Sequence, residues 1–194
     1  LEGLACASAT VLIEGETGTG KEVVAHILNQ QEGKIPFVTV NCAAINENLF
    51  ESEFFGHMKG AFTGADQNKV GLAEAAHGGD LFLDEIEALP LSQQAKLLRF
   101  LESGEIKKVG AKESIMVKTR VIVATNQPLQ KLVEEKKFRE DLYFRLSSQK
   151  IVIAPLKDRL DDVATLAQYF VDKEKPRRNK VFSQEATIAM KKYN

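Results

Sequence analysis

Gly15-Glu16-Thr17-Gly18-Thr19-Gly20-Lys21-Glu22 is the stretch on which the reading of this chain turns. Before it stands an apolar run, Thr10-Val11-Leu12-Ile13, closed by Glu14, which reads as a buried strand over Thr10 to Glu14. After it stands Glu22-Val23-Val24-Ala25-His26-Ile27-Leu28, which reads as a helix running to about Gln31, with Gly33 and Pro36 beyond as stop signals. Strand, glycine loop and helix in that order are the setting a phosphate-binding loop needs. Gly15, Gly18 and Gly20 let the backbone turn its N–H groups inward, and the helix N-terminus adds its own. Lys21 then reaches the β- and γ-phosphates, with Glu16, Thr17 and Thr19 completing the cradle. The alternative is a plain glycine-rich turn. One position departs from the general pattern. The residue after the lysine is usually Ser or Thr, whose hydroxyl binds Mg²⁺, and here it is Glu22. The metal must then be held by another carboxylate or through water.

Working outward, Phe37 to Val40 reads as a second strand ending in Asn41-Cys42, and Glu47 to Phe55 has helical spacing. Gly56 to Gln67, GHMKGAFTGADQ, reads as a mobile loop with an exposed Phe62. Leu81-Phe82-Leu83 reads as a third strand ending in Asp84-Glu85. Ser92 is expected to cap a helix through Leu97, Leu98 and Leu101 that Gly104 stops. Glu105 to Lys118 suits a short hairpin, and Arg120 to Ala124 a fourth strand ending in Thr125-Asn126. Pro128 to Lys137 and Glu140 to Leu146 look helical, and Lys150 to Ile153 reads as a fifth strand. Strands alternating with helices predict a three-layer α/β/α fold around a five-stranded parallel sheet. Asp158 to Glu174 reads as an amphipathic helix, Lys175 to Lys180 as a breaker, and Ser183 as the start of a last helix. The expected division is an α/β nucleotide-binding subdomain over 1–157 and the start of a helical lid over 158–194.

Two acids at the end of an apolar strand carry the next piece of chemistry. Ligands of parallel sheets bind at the carboxyl ends of the strands, where the first strand also delivers its loop. Asp84 is placed to hold Mg²⁺ and Glu85 to polarise a water against the γ-phosphate; the plainer reading has both acids capping the next helix. Asn126 reaches the same edge, as a water-holding or phosphate-sensing amide or as an ordinary turn residue. Arg139 and Arg145 in FREDLYFRL either pair with Glu140 and Asp141 or reach a phosphate on a neighbouring subunit.

Composition bounds the rest. The 194 residues carry a formal net charge of −1 and are 44% hydrophobic, enough for one domain or a little more with a real core. That balance gives no sign of a nucleic-acid-binding domain. Cys6 and Cys42 have no paired spacing and fit a reducing cytosol. No apolar run approaches the roughly 18 residues of a membrane span, and no signal peptide is visible.

GETGTGKE, VNCAAINENLFESEFFGH, KGAFTGA, GGDLFLDEI, ATN and FREDLYFRL together resemble the AAA+ central domain of sigma-54-dependent transcriptional activators, the NtrC-like enhancer-binding proteins. The most specific element is Gly60-Ala61-Phe62-Thr63-Gly64-Ala65, and the resemblance covers nearly the whole chain. It implies an ATPase in a ring of subunits, a hexamer or heptamer, with ATP and Mg²⁺ between them. Lys21 then binds phosphate, Asp84 and Glu85 are the Walker B pair, Asn41 is the switch residue holding the catalytic Glu, and Asn126 is sensor I. Arg139 and Arg145 are arginine fingers acting in trans. Residues Gly60 to Ala65 contact sigma-54, and hydrolysis drives the closed polymerase complex to the open one. Glu22, odd for P-loop proteins at large, is normal in this family. Asp80 departs from the usual small polar residue and is expected to add negative charge near the metal strand.

The resemblance also implies partners and segments outside this stretch: an adenine-holding segment before the first strand, a sensor II arginine beyond Asn194, a sensory domain, and a C-terminal DNA-binding helix pair. On that reading the chain is a fragment, largely monomeric, with weak ATP binding and hydrolysis of its own, from a cytoplasmic protein with no membrane partner. Two other readings compete: a nucleotide-binding scaffold without turnover, and a nucleic-acid module built on Lys173, Lys175, Arg177, Arg178 and Lys180, which equally suits a solvated linker.

Overall fold

The structure, a computed structural model, describes residues 10–30, 35–173 and 181–192. Contacts divide the chain into two units, Leu1–Ile153 and Ala154–Asn194. The first is built on five parallel strands: β1 (Val11–Glu14), β2 (Phe37–Asn41), β3 (Asp80–Asp84), β4 (Arg120–Thr125) and β5 (Gln149–Val152). Their spatial order is β2-β3-β4-β1-β5. The helices are α1 (Lys21–Gln30), α2 (Glu47–Phe55), α3 (Leu72–Ala75), α4 (Leu91–Ser103), α5 (Leu129–Glu134) and α6 (Glu140–Leu146).

The three inner strands, β1, β3 and β4, are buried on both faces, so their sequences run mostly apolar rather than alternating; β2 and β5, at the edges, keep exposed positions. Val11, Ile13, Phe82, Ile122 and Ala124 face α1, which meets them with Ala25 and Leu28. Leu12, Val40, Leu81, Leu83, Val121 and Val123 face the other way, against Phe50 and Phe54 of α2, Leu97 and Phe100 of α4, and Leu142 and Leu146 of α6. Burying each such aliphatic side chain contributes about 1.5–3 kcal/mol. The result is the three-layer α/β/α fold expected.

Register places the site. Asn41 pairs with Asp84, and Glu14 pairs with Thr125 on one side and Val152 on the other. The carboxyl ends of the strands therefore finish at one edge, and β1 is seated between β4 and β5 rather than beside β2.

The local expectations differ from the structure in four places. Ser92 is not a cap: α4 starts at Leu91 behind Pro90, whose carbonyl takes the amides of Gln93 and Gln94. Proline's fixed φ suits that entry, and it outcompetes the hydroxyl two residues on. Gly104 does end α4, at φ 70°, the left-handed turn that glycine adopts without strain. The Pro128–Lys137 helix is confined to Leu129–Glu134, and the chain leaves it through a left-handed Lys136 at φ 58°. The helix expected from Asp158 begins only at Asp162, because Pro155 opens a single 3-10 turn, Leu156–Asp158, and Arg159 leaves helical geometry at φ −135° and ψ 57°. Asp80 is the fourth, described with the site.

Two short hairpins flank the sheet: Gly56–His57 with Lys69–Val70, and Glu105–Ile106 with Ile115–Met116. In the second unit α7 (Asp162–Lys173) packs on α8 (Gln184–Lys191), and Ser183 caps α8 by accepting the Ala186 amide. Lys175 to Lys180, read as a breaker or basic patch, lie outside the described residues, as do Cys6, the end of the first helix at Gln31, and Glu174. Among the described residues no helix is long and apolar enough to cross a membrane.

Candidate functional site

The loop after β1 is closed by its own side chains. Thr19 donates its hydroxyl to the Glu16 carbonyl at 2.8 Å, and the Gly15 amide donates to Thr125 of β4 at 3.2 Å. Gly18 and Gly20 sit at φ 82° and 96°, where a side chain is strained. At Gly15 the constraint is space: a Cβ there would lie 2.9 Å from the Ile153 carbonyl. Lys21 is the first residue of α1, and its ammonium folds back onto the carbonyls of Gly15 and Glu16 at 2.8 and 3.1 Å. The cation thus lies over the loop, held there by neutral acceptors that an anion would outbid.

Asp84 ends β3 and faces this loop. Its Oδ1 accepts the Glu85 amide at 2.9 Å. Glu85 itself is left-handed, at φ 53° and ψ 47°, with no Gly to excuse it. Such strain persists only where the surroundings impose it, and it gathers at functional sites. Among the described residues neither carboxylate has an ion-pair partner. Thr17, Gly18, Gly20, Lys21, Glu22, Val23, Asp84, Glu85 and Asn126 line one hollow of about 290 Å³. A roomier hollow of about 560 Å³ beside Met58 and Ile115 has lysines on its rim but no such convergence of glycine loop and acids.

Hard oxygen donors are what Mg²⁺ takes, one or two carboxylates completed by phosphate and water. Asp84 fits that donor set, and no group of three or more His, Cys, Asp or Glu among the described residues makes an all-protein cage. Glu22 lines the hollow but is exposed, its carboxylate 3.8 Å from the His26 ring one turn along α1.

The remaining sequence-derived residues divide. Asn41 accepts the amides of Ala43 and Ala44 at 2.9 and 3.1 Å with Oδ1, so its side chain holds its own turn. Asn126 reaches the hollow, and its backbone amide donates to Glu87 at 3.3 Å. Arg139, the residue before α6, forks onto Asp141 through Nε and Nη2 at 3.0 and 2.7 Å. That bond holds the Asp141 carboxyl below its ordinary value and raises the guanidinium's. Arg145 pairs with neither acid. It donates twice to the Leu101 carbonyl, at 2.7 and 3.2 Å, capping the last turn of α4. Neither arginine lines the hollow, so the two stand outside the site that this chain forms alone.

Residues Gly60 to Ala65 form a closed turn away from that site. The Gly60 amide donates to Ala65 at 2.8 Å, and that of Ala65 to Phe62 at 3.0 Å. Gly60 and Gly64 are at φ 80° and 94°. Phe62 is 42% exposed, its ring edge-on to His57 at 5.0 Å. The base of the loop is tied to the second hairpin, where Val109 bonds Gly56 and Met58 at 2.9 Å.

Asp80 lies at the opposite end of β3 from Asp84. The expectation that it charges the metal strand is therefore corrected: it is 1% exposed and its carboxylate is forked by Arg120 at 2.8 and 2.6 Å. Three features escaped sequence reasoning. Gln94 is fully buried in α4, donating to Leu89 and accepting the Arg139 amide at 2.9 Å, so it fixes where Arg139 starts. Its signal was a polar residue on the face shared with Leu97. Cys42 has its thiol pushed up to about 12 by burial and by Glu87, Asp84 and Glu85. Nothing in the sequence signalled the left-handed Glu85.

A parallel α/β sheet with a glycine loop and lysine after β1 and paired acids after β3 defines a P-loop NTPase of the AAA+ type. Residues 1–152 match the family described as the Sigma-54 interaction domain. The chain belongs to that family, the AAA+ central domain of sigma-54-dependent transcriptional activators. It is 49% identical to the regulatory protein AtoC of Escherichia coli K12 across 88% of this chain and 37% of AtoC. It is 51% identical to the transcriptional regulator NtrC of Proteus hauseri across 88% of this chain and 36% of NtrC. Brucella abortus NtrX, solved in complex with ATP, superposes with a TM-score of 0.85 at 34% identity, covering 99% of this chain and 44% of that one. The chain thus spans little more than a third of the length of AtoC and of NtrC.

Proposed function

We propose that this chain binds MgATP in the hollow between the Gly15–Glu22 loop and Asp84-Glu85, and supplies the ATPase of a sigma-54-dependent regulator. The observation that carries this is the convergence of the loop, Lys21, Asp84, Glu85 and Asn126 on one hollow. The loop amides and Lys21 hold the phosphates, and Asp84 holds the metal. Mg²⁺, when bound, neutralises charge on the phosphates. Glu85 takes the proton of the attacking water while the γ-phosphoryl group moves to that water and ADP leaves. Asn126 orients the water or reads the γ-phosphate. Asn41 holds Glu85 in one nucleotide state and keeps its own turn in the other.

Arg139 and Arg145 serve the site of a neighbouring subunit in a ring, a hexamer or heptamer, exchanging Asp141 and Leu101 for a phosphate. NtrX's complex with ATP supports the nucleotide assignment, and the family's description supports sigma-54 as a partner, to which we assign Gly60 to Ala65. The turn has no catalytic group and presents Phe62 to solvent, which suits an output rather than a second site. The α/β unit to 157 and the helical segment from 158 are the working division, in a protein that acts in the cytoplasm and reaches DNA through a domain outside this chain. The piece alone hydrolyses ATP weakly.

One pair of variants in the whole regulator tests the assignment. Glu85→Gln keeps ATP binding and loses turnover by about 10²–10⁴-fold, the worth of a general base. Thr63→Ala keeps turnover and loses sigma-54 binding and promoter opening. Parent-rate hydrolysis by the first, or parent-rate opening by the second, overturns the corresponding role.

A further inference from the structure

The end of the sheet away from the nucleotide site holds an ion pair that the chemistry above does not use. Asp80, Arg120 and Asn29 are all buried, 1%, 7% and 8% exposed. Arg120 forks the Asp80 carboxylate and also donates to the Leu28 carbonyl at 3.1 Å. Asn29 donates to the same carboxylate at 3.0 Å. Leu28 and Asn29 belong to the last turn of α1, Asp80 opens β3, and Arg120 opens β4. The cation therefore meets a helix C-terminus as well as an acid, both of which favour it.

The two elements it joins run in opposite directions. Helix α1 starts at Lys21, over the phosphate loop, and descends to Asn29. Strand β3 starts at Asp80 and climbs to Asp84. At about 1.5 Å per residue for the helix and about 3.3 Å for the strand, Asn29 lies about 12 Å from Lys21 and Asp80 about 13 Å from Asp84. The buried side chains of α1 are Ala25, Leu28 and Asn29; Ala25 and Leu28 pack with Val24 on an apolar cluster that includes Phe82 and Phe37, and the His26 ring meets Phe37 at 4.5 Å. These contacts lack the directionality of the charge-assisted bonds at Asn29 and Leu28, which fix a position along the helix axis more sharply.

We infer that Asp80, Arg120 and Asn29 form a positioning anchor that sets the height of Lys21 against Asp84, and so the nucleotide affinity of the site. None of the three touches the hollow. They act through α1 and β3, two rods pinned at their far ends. The inference rests on the nucleotide site proposed above.

The test uses Asp80→Asn, which keeps the shape and removes the charge, Asn29→Ala, which leaves the ion pair intact, and Leu132→Ala as a control in the cluster on the other face of the sheet. Two readouts keep the failures apart. Amide hydrogen exchange without nucleotide, followed from Val24 to His26 in the first bonded turns of α1, reports the anchor alone. Calorimetric titration with MgADP reports the site. Asp80→Asn is expected to speed exchange there and to weaken MgADP by about tenfold, since small misplacements far from the chemistry are costly. Asn29→Ala shifts both in the same direction by less, and Leu132→Ala shifts neither although it destabilises the fold. Unchanged exchange in α1 for Asp80→Asn overturns the anchor whatever the affinity. Faster exchange with unchanged MgADP affinity overturns the claim that the anchor sets the site. A parent that takes no MgADP, with exchange still faster in Asp80→Asn, upholds the anchor and overturns the nucleotide assignment.

Discussion

The two ends of β3 treat the same residue type in opposite ways. At its start Asp80 is sealed in, its oxygens taken by Arg120 and Asn29. At its end, among the described residues, Asp84 has only a backbone amide, and the next residue, Glu85, is held in a left-handed turn with its charge unpaired. Five residues of one strand thus run from a satisfied network to an unsatisfied, strained one. A fold that needed only stability would satisfy both ends. The end left raw is the one where a cation and a phosphate would complete it, and its excess negative field is already felt by Cys42, whose thiol burial and the Glu87, Asp84 and Glu85 carboxylates push to about 12.

If this contrast is physical, substitutions at the two ends should move stability in opposite directions. The largest effect belongs to the sealed end. Arg120→Ala strands a buried carboxylate and should lower unfolding stability by about 3–5 kcal/mol, read by denaturant titration. A loss under about 1 kcal/mol would mean that the pair is solvated and the contrast false. At the open end Glu85→Gly relieves the left-handed strain and should raise stability by about 0.5–1 kcal/mol while removing the carboxylate proposed for turnover. A destabilisation there would show that the turn is not strained.

The smallest effect tests an exposed pair against the buried one. Arg139 holds the Asp141 carboxyl below its ordinary 3.8. A folded value below the unfolded one stabilises the fold fully above the unfolded value, and that part is lost as pH falls through the folded value. Unfolding midpoints of the parent and Asp141→Asn should therefore differ most near neutral pH, converge below about pH 4, and differ less in high salt. A gap that widens in acid would contradict the pairing.

Much of this was legible in the sequence, for reasons visible in particular residues. Strands β1, β3 and β4 could be read because two-sided burial makes them unbroken apolar runs, and α6 because FREDLYFRL carries a clean helical spacing between Arg139 and Leu146. The site was legible because the glycine loop, the lysine and the acids each adjoin a strand end, and parallel strands bring those ends to one edge. What was not legible depends on side-chain direction and on competition between neighbours. Asp84 is placed by the carboxyl end of its strand, whereas the partners of Asp80, four residues earlier, depend on the register with Arg120 and the approach of α1's last turn. Ser92 and Pro90 are both valid start signals, and the packing of α4 chose between them. Arg139 pairs with Asp141, one of the two acids its sequence neighbourhood offers, while the bond of Arg145 to the Leu101 carbonyl depends on where α4 ends and has no sequence signal. The late start of α7 turned on one non-helical residue, Arg159, that composition does not mark.

The central claim is that the hollow at the open end is a nucleotide site held by Lys21, and one titration tests it most directly. MgATP added to the parent chain, to Lys21→Ala and to Glu85→Gln, followed by calorimetry in the same buffer, should give binding heat for the parent and for Glu85→Gln, with none for Lys21→Ala. Equal affinity in the parent and Lys21→Ala would place the nucleotide elsewhere and contradict the account.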